Sequence, residues 1–178
     1  MWGMLARRAS RQQGEEAGRL LYLQAVAAAR KPHFYRAGGV PDTLDGRFDM
    51  ICLMAALLVR RLRRTAPALA QSVFDAMFRD MDASLRELGV GDLGVPRRVG
   101  AMWQAFNGRC HAYEAALQVE DRQLLSDCLA RNIWRGSPPD EATVGRLARE
   151  AIALDRALAQ QSDAELIAGR VLLEAGPA

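Results

Sequence analysis

Residues 85–96 read LRELGVGDLGVP, and they carry the end of one helix signal and the start of the next. Glycine at position 89 favours the left-handed backbone conformation in which many helices end. Proline at position 96 suits the first turn of a helix, where its missing N–H is no loss. We therefore predict a helix that stops at Gly89, a short connector, and a new helix that starts at Pro96.

The connector between these two signals is rich in apolar residues for a loop. Val90, Leu93 and Val95 stand beside a single acid, Asp92. Loops that are merely solvated rarely need three apolar side chains. We expect the connector either to pack against the protein or to be presented to a partner, and in both cases to act as an elbow between two helices.

Apolar residues recur at helical spacing on both sides of this connector, while proline and glycine fall at the junctions. The pattern predicts an all-α fold with a single compact helical domain of six to seven helices over residues 15–178, preceded by a flexible basic tail at residues 1–14. A domain of this length buries roughly 70% of the surface of its unfolded chain. The predicted helices span residues 16–30, 43–64 with Asp42 as N-cap (or from 47, after Asp45-Gly46), 67–88, 96–119, 121–134 and 140–160, with a short helix after Ser162.

Three patterns predict what these helices bury. Residues 50–59 are apolar on all sides, which indicates the central helix. Two later helices carry apolar stripes. They consist of Phe74, Phe78, Met81, Leu85 and Leu88 in one helix, and of Val99, Met102, Phe106, Cys110, Tyr113 and Leu117 in the other. Gly100 and Gly108 lie inside the second helix, and since each costs about 1 kcal/mol relative to alanine, we expect another backbone to pack closely there.

Arginine dominates the charge of this chain. The net charge is +3, and Lys31 is the single lysine, so 23 of the 24 basic residues are arginine. GC-rich coding explains such a bias, and guanidinium groups also suit phosphate and carboxylate recognition. The excess is too small to indicate DNA as a partner. Three widely spaced cysteines, without a C-x-x-C motif, indicate buried thiols in a reducing cytosol.

Neither a secretory signal nor a membrane span is evident. The basic residues 1–14 lack the apolar core of a signal peptide, and the longest uncharged apolar run, residues 50–59, is far below the roughly 20 residues that a span requires. We expect a soluble protein. Its N-terminus either frays or touches an anionic membrane surface through Trp2, Met4 and Leu5.

The sequence offers little for catalysis or metal binding. Cys110 and His111 are adjacent, but neighbours on a helix point about 100° apart, and Cys110 belongs to an apolar stripe. His33 is the other histidine of the chain, so we expect neither zinc nor stable haem. Residues 89–94 match a glycine-rich phosphate loop only in their letters, because they follow a helix and not a strand. We expect no catalytic residue, no metal and no cofactor.

Charged residues near the connector have two interpretations. Along the helix before it, charges recur at 4-3-4 spacing and form either a solvated face or a docking face. They are Asp75, Arg79, Asp82 and Arg86. Arg97 and Arg98 fall in the first turn of the next helix, where the dipole disfavours each cation by about 0.3–1 kcal/mol. We expect Asp92 or Glu87 to offset this cost, with an acidic or phosphate-bearing partner as the alternative.

Several segments closely resemble the ubiquinol-cytochrome c chaperone family. They are RKPHFY (30–35), VPDTLDGRF (40–48), DMD (80–82), LRELGVGDL (85–93) followed by Val95-Pro96, FNGR (106–109) with Tyr113, and LARN (129–132). The segments follow the family's order and extend the resemblance over residues 20–173. Two positions depart from the family pattern: Asn107 replaces an aromatic residue and Met54 replaces a histidine. If these positions touch the client, its identity or affinity differs.

The resemblance implies a non-enzymatic chaperone for the assembly of ubiquinol-cytochrome c reductase (complex III). The mitochondrial members of this family associate with the mitochondrial ribosome and receive newly made cytochrome b. A bacterial relative would be cytoplasmic and peripheral at the inner face of the cytoplasmic membrane, with the ribosome and a second assembly-factor subunit as further partners. The alternative is a ribosome- or RNA-associated helical adaptor not specific to cytochrome b. Candidate partner contacts are Tyr35, Arg47, Arg86, Asp92, Arg97, Arg98, Trp103 and Arg109.

Overall fold

The computed structural model describes residues 2–174, and the side chains from residue 11 onward. This part of the chain contains helices and no strand. The helices are α1 (Trp2–Ala29), α2 (Pro32–Arg36), α3 (Leu44–Thr65), α4 (Pro67–Glu87), α5 (Val95–Gln118), α6 (Arg122–Ile133), α7 (Glu141–Gln160) and α8 (Asp163–Ile167). The predicted all-α class and the single helical domain are confirmed.

Two helix starts differ from the prediction. Helix α1 begins at Trp2, so it includes much of the predicted basic tail, whose flexibility stays a prediction. The proposed membrane contacts, Trp2, Met4 and Leu5, have side chains outside the described part of the structure. Helix α2 forms where only a connector was expected, because Pro32 suits the first turn and Phe34 is buried against the core.

Polar side chains define the starts of α3 and α7. Thr43 Oγ1 accepts a hydrogen bond from the Gly46 N–H (3.1 Å), which makes Thr43 the N-cap in place of the predicted Asp42. Asp140 Oδ1 accepts one from the Thr143 N–H (2.7 Å). Of the two predicted starts of α3, the one after Asp42 is correct to within one residue and the one after Gly46 is not; the predicted start of α7 is correct to within one residue.

Helix α3 is the centre of the fold. All of residues 50–59 are buried, as predicted, and α3 packs against α1, α4, α5, α6 and α7. Its last turns attach it to the neighbouring helices. Arg61 donates to the carbonyl oxygens of Leu158 (2.9 Å) and Gln161 (2.8 Å) at the end of α7, and Arg63 lies 3.7 Å from Glu114 of α5.

The buried face of α4 differs from the predicted stripe. Its core residues are Leu69, Ala70, Val73, Ala76, Met77, Met81 and Leu85. Phe74 and Phe78 are half-buried and pack against each other and against Phe106 of α5, with ring centroids 4.6–6.1 Å apart. Leu88 is exposed, because α4 has ended before it. Both stripes have helical spacing, and the packing partners decide which one is buried.

Apart from Val95 in its first turn, helix α5 is buried only in its second half. Phe106, Cys110, Tyr113 and Leu117 lie in the core, as predicted, whereas Val99 and Met102 are half-buried. Arg109, near the middle of α5, pairs with Asp49 of the core helix α3.

The close backbone approach occurs at a glycine in α1 and not at the two glycines in α5. A Cβ atom at Gly100 or Gly108 would have no neighbour within 4 Å, so the prediction of close packing there is wrong. A Cβ at Gly18 would lie 2.7 Å from the carbonyl carbon of Ser72 and 2.9 Å from the nitrogen of Val73. Helices α1 and α4 therefore touch at Gly18.

Contacts along the helices fix their relative directions. Gly18 lies against Ser72, and the Tyr22 hydroxyl donates to Asp80 (2.7 Å), so α1 and α4 run in the same direction. Asp49 pairs with Arg109, and Arg63 approaches Glu114, so α3 and α5 also run in a common direction. The C-terminal ends of α1 and α4 thus gather with α2 and with the N-terminal ends of α3 and α5. We call this end of the bundle the elbow end.

Candidate functional site

The elbow itself, residues 88–94, is a defined turn. Gly89 has φ +79°, its N–H donates to Arg86 O (3.0 Å), and the Val90 N–H donates to Leu85 O (3.0 Å). These two bonds form a Schellman motif, which supplies partners for carbonyls at the end of α4. Since α5 begins at Val95, one residue before the expected Pro96, the predicted helix end and start are both confirmed.

The apolar residues of this segment differ in their exposure to solvent. Val95 is fully buried and Val90 half-buried, whereas Leu93 is 98% exposed. No other large apolar side chain in the described part of the chain is as exposed. The two alternatives for the connector therefore both apply: it packs down at one end and presents a leucine to solvent at its tip.

Arg86 connects the elbow to α4. Its Nε donates to Asp82 (2.7 Å) and its Nη1 to Asp92 (2.5 Å), and these two carboxylates raise the pKa of the Arg86 guanidinium. The bonds tie the connector to the last turns of α4. Arg86 and Asp92, both predicted partner contacts, therefore bind each other.

Arg97 and Arg98 have no such partner. Both are exposed, and no carboxylate among the described residues lies within 4.0 Å of either guanidinium. The expected ion pair with Asp92 or Glu87 does not form among the described residues: Asp92 binds Arg86 instead, and Glu87 lies within 4.0 Å of neither guanidinium. Helix α5 also begins without a capping side chain and without an acid in its first turn. Within the described chain, neither an ion pair nor a helix cap therefore offsets the dipole cost of these two cations.

Trp103 lies about one and a half turns beyond Arg98 on α5 and is 47% exposed. Leu44 and Leu88, from the start of α3 and the end of α4, are also exposed. The elbow end therefore combines free guanidinium groups with apolar side chains in solvent. Surfaces that bind partners commonly have this composition, because arginine and aromatic residues contribute strongly to binding.

Arg109 is largely buried and pairs with an acid of α3. It is only 13% exposed, its Nη2 donates to Asp49 Oδ1 (2.6 Å), and its guanidinium lies 5.6 Å from the Phe48 ring centroid. Asp49 is fully buried, and Arg135 Nη2 approaches its other oxygen at 3.4 Å. Burial raises the pKa of Asp49, while Arg109 and Arg135 act to lower it.

Sequence reasoning missed Asp49, although a signal was present. Asp45 and Asp49 lie one turn apart at the start of the most apolar helix, so they share a face. Arg135 contacts both, at 3.2 Å and 3.4 Å. An acid at the edge of an all-apolar helix needs a cation beside it when it is buried. The sequence therefore predicts that Asp49 has a basic partner, but not which residue this is.

Tyr35 and Arg47 lie in a separate depression of about 450 Å³ between the end of α1, α2 and the start of α3. The Tyr35 hydroxyl donates to Ala29 O (2.8 Å), and Arg47 Nε donates to Asp42 Oδ1 (2.6 Å). Of the two departures from the family pattern, Met54 is buried in α3, which removes it from any client surface, and Asn107 is half-buried.

The reactive side chains are poorly placed for chemistry. Burial raises the pKa of the Cys110 thiol to about 12, so it stays protonated at neutral pH. His33 Nε2 lies 3.1 Å from a Glu150 oxygen at the protein surface. Within residues 2–174, no group of three potential ligands is arranged to hold a metal ion. None of the helices described there is both long enough and apolar enough to cross a membrane.

Comparison with known proteins relates most of this chain to one family. The family model described as ubiquinol-cytochrome C chaperone matches residues 36–173. The crystal structure of the Cbp3 homolog from Brucella abortus superposes with a TM-score of 0.82 and 38% sequence identity, and the match covers 96% of this chain and 95% of that chain. No curated protein sequence matches the chain.

Proposed function

The chain belongs to the ubiquinol-cytochrome C chaperone family, and from this premise we propose that it is a non-enzymatic assembly factor for complex III that binds newly made cytochrome b. The family assignment supports the role in assembly. The proposal adds the client, and it places the protein in the cytoplasm at the inner face of the membrane, where that client is inserted. A ribosome contact and a second assembly-factor subunit belong to the same proposal.

The exposed, uncompensated arginines of α5 are the observation that carries the docking site. Arg97 and Arg98 offer charge to an acidic segment, and Leu93, at the tip of the elbow, offers an apolar contact. Trp103 is exposed farther along α5, on a different side of the helix from the two arginines. Such a surface suits a short hydrophilic loop of a membrane protein that carries acids and a few apolar residues. Arg86 and Asp92 hold the elbow in place, and Arg109 supports α5 through Asp49.

Deletion of the gene tests the role in assembly. We expect the reduced-minus-oxidised difference spectra of membranes to lose most of the cytochrome b signal, and ubiquinol oxidation to fall with it. An unchanged signal together with normal ubiquinol oxidation would refute the assembly role.

Capture of cytochrome b by a tagged protein tests the docking site. We expect Arg97→Glu/Arg98→Glu to reduce capture at least about tenfold, because both charges are reversed where no internal partner compensates. A matched control is Arg122→Glu/Arg149→Glu, which reverses two exposed arginines of α6 and α7 and should capture normally. Equal capture by both variants would exclude the elbow end as the client site.

The same arginines favour a second candidate, a ribosome- or RNA-associated adaptor that is not specific to cytochrome b. Free guanidinium groups bind a phosphate backbone as readily as a carboxylate. Under this alternative, ribosome binding falls steeply with added salt, and the deletion strain assembles complex III normally. The spectra of the deletion strain therefore distinguish the two candidates.

A further inference from the structure

The depression between α1, α2 and α3 has an uneven charge balance. Three arginines and one acid line it, together with Tyr35 and Pro32; the charged residues are Arg30, Arg36, Arg47 and Asp42. By contrast, a depression of about 600 Å³ beside α6 and α7 contains Arg122 and Arg149 against three acids, Asp127, Asp140 and Glu141. The first is cationic and the second is not.

The cations of the first depression are largely uncommitted. Arg30 and Arg36 are exposed and form no ion pair with any described carboxylate. Arg47 uses its Nε for Asp42, which leaves its two terminal amino groups without a described partner. The adjacent Lys31 is directed elsewhere, to Glu174 at 3.0 Å.

The three guanidinium groups also come from three different elements. Arg30 directly follows α1, Arg36 ends α2, and Arg47 lies in the first turns of α3. Tyr35 lines the same depression, and its hydroxyl is bonded to the backbone of α1. Donors that approach from several directions suit a tetrahedral anion with several oxygens better than a planar carboxylate, and guanidinium groups bind phosphate strongly.

We propose that this arginine pocket, formed by Arg30, Tyr35, Arg36, Asp42 and Arg47, binds a phosphate group. The phosphate belongs either to a free anion or to a phospholipid headgroup, which offers the same oxygens. The site is separate from the client contacts proposed at Arg97 and Arg98, and its test needs no client. Failure here would leave the chaperone role untouched.

Binding by the full-length protein tests the pocket in two arms. One arm titrates inorganic phosphate calorimetrically, and the other sediments the protein with phosphatidylglycerol vesicles, with phosphatidylcholine vesicles for comparison. We expect Arg30→Gln/Arg36→Gln to weaken binding at least about tenfold, because two of three guanidinium groups are lost. The control Arg122→Gln/Arg149→Gln has the same change in charge and should bind like the parent protein.

The two arms identify the source of the phosphate. Binding of inorganic phosphate that the pocket variant loses supports a free anion, whereas binding confined to phosphatidylglycerol vesicles, and lost in the same variant, supports a lipid headgroup. Absence of binding in both arms overturns the proposal, and so does equal binding by the pocket variant and the control. Arg30→Lys/Arg36→Lys should lose less binding than the glutamine variant, because it retains the positive charge and removes only the planar guanidinium donors.

Discussion

Arg109 and Asp49 depend on each other for their burial. Their contact joins α5 to α3 across sixty positions of sequence, and Arg135 adds a longer contact from beyond α6. Arg109 was predicted as a partner contact because it belongs to the FNGR segment (106–109) of the family resemblance. No local spacing connects residues so far apart, so the pairing could not be predicted, although the need of Asp49 for a cation could.

Arg109→Met should destabilise the protein by about 3 kcal/mol at pH 7, because it leaves the Asp49 carboxylate buried without its closest counter-charge. Loss of Arg109 raises the folded-state pKa of Asp49 further above its unfolded value. The pH-dependent part of the destabilisation is therefore full above the Asp49 pKa of the folded variant and fades as the pH falls toward the lower Asp49 pKa of the folded parent protein. Urea unfolding at neutral and mildly acidic pH measures both effects.

Arg86→Met is the matched control for this prediction. It removes another arginine that binds carboxylates, but Asp82 and Asp92 are solvated, so the change in stability should be much smaller and nearly independent of pH. A loss for Arg109→Met that is the same at both pH values would contradict the assigned role of Asp49.

At the scale of helices, local signals predicted the ends better than the faces. Gly89 and Pro96 mark a helix end and start through their own backbone preferences, which act in any context. The buried face of α4 depends on α1, which meets it at Gly18, and the sequence of α4 contains no information about that partner. This is why Phe74 and Phe78 were predicted to be fully buried and Val73 and Met77 were missed.

Two glycine-to-alanine substitutions should change the stability of the protein in opposite directions. Gly18→Ala forces α1 away from Ser72 and should cost about 1–3 kcal/mol through overpacking. Gly100→Ala lies in open space on α5 and should stabilise the protein by about 0.5–1 kcal/mol, since alanine loses less backbone entropy in a helix. Thermal unfolding of both variants checks the pair, and a stabilised Gly18→Ala would contradict the close contact of α1 with α4.

At the start of α5, a substitution that stabilises the helix should weaken the proposed function. Arg97→Glu/Arg98→Glu replaces two cations by anions at the positive end of the helix dipole, so we expect a gain of about 1 kcal/mol in unfolding free energy. The same variant should lose client capture. A loss of capture accompanied by lower stability would instead indicate that the substitutions damage the fold.

The whole molecule should unfold as one unit. Helix α3 contacts five other helices, so no subset of them forms a separate core. We expect one cooperative transition in urea, with the same midpoint by far-UV circular dichroism and by the fluorescence of buried Trp134, in a variant whose other tryptophans are replaced (Trp2→Phe/Trp103→Phe). Separate midpoints would contradict the single-domain organisation.

The elbow end illustrates what a sequence predicts at this scale. The helix pattern predicts the fold class, and the resemblance predicts the family. The candidate residues belong to motifs that lie far apart in the sequence. Parallel α1 and α4, together with parallel α3 and α5, bring most of those motifs to one end. Helix direction follows from long-range contacts, so the gathering of the motifs became visible only in the structure.

The central position of α3 also has a consequence for biosynthesis. The ribosome makes α3 after α1 but before α4, α5, α6 and α7, the other helices that cover it. During translation, the most apolar segment of the chain therefore emerges with one of its five packing partners, and the counter-ions of Asp49 follow some 60 to 86 residues later. Until they emerge, the nascent chain exposes apolar surface that later folding removes, so this proposed chaperone itself requires protection while it is being made.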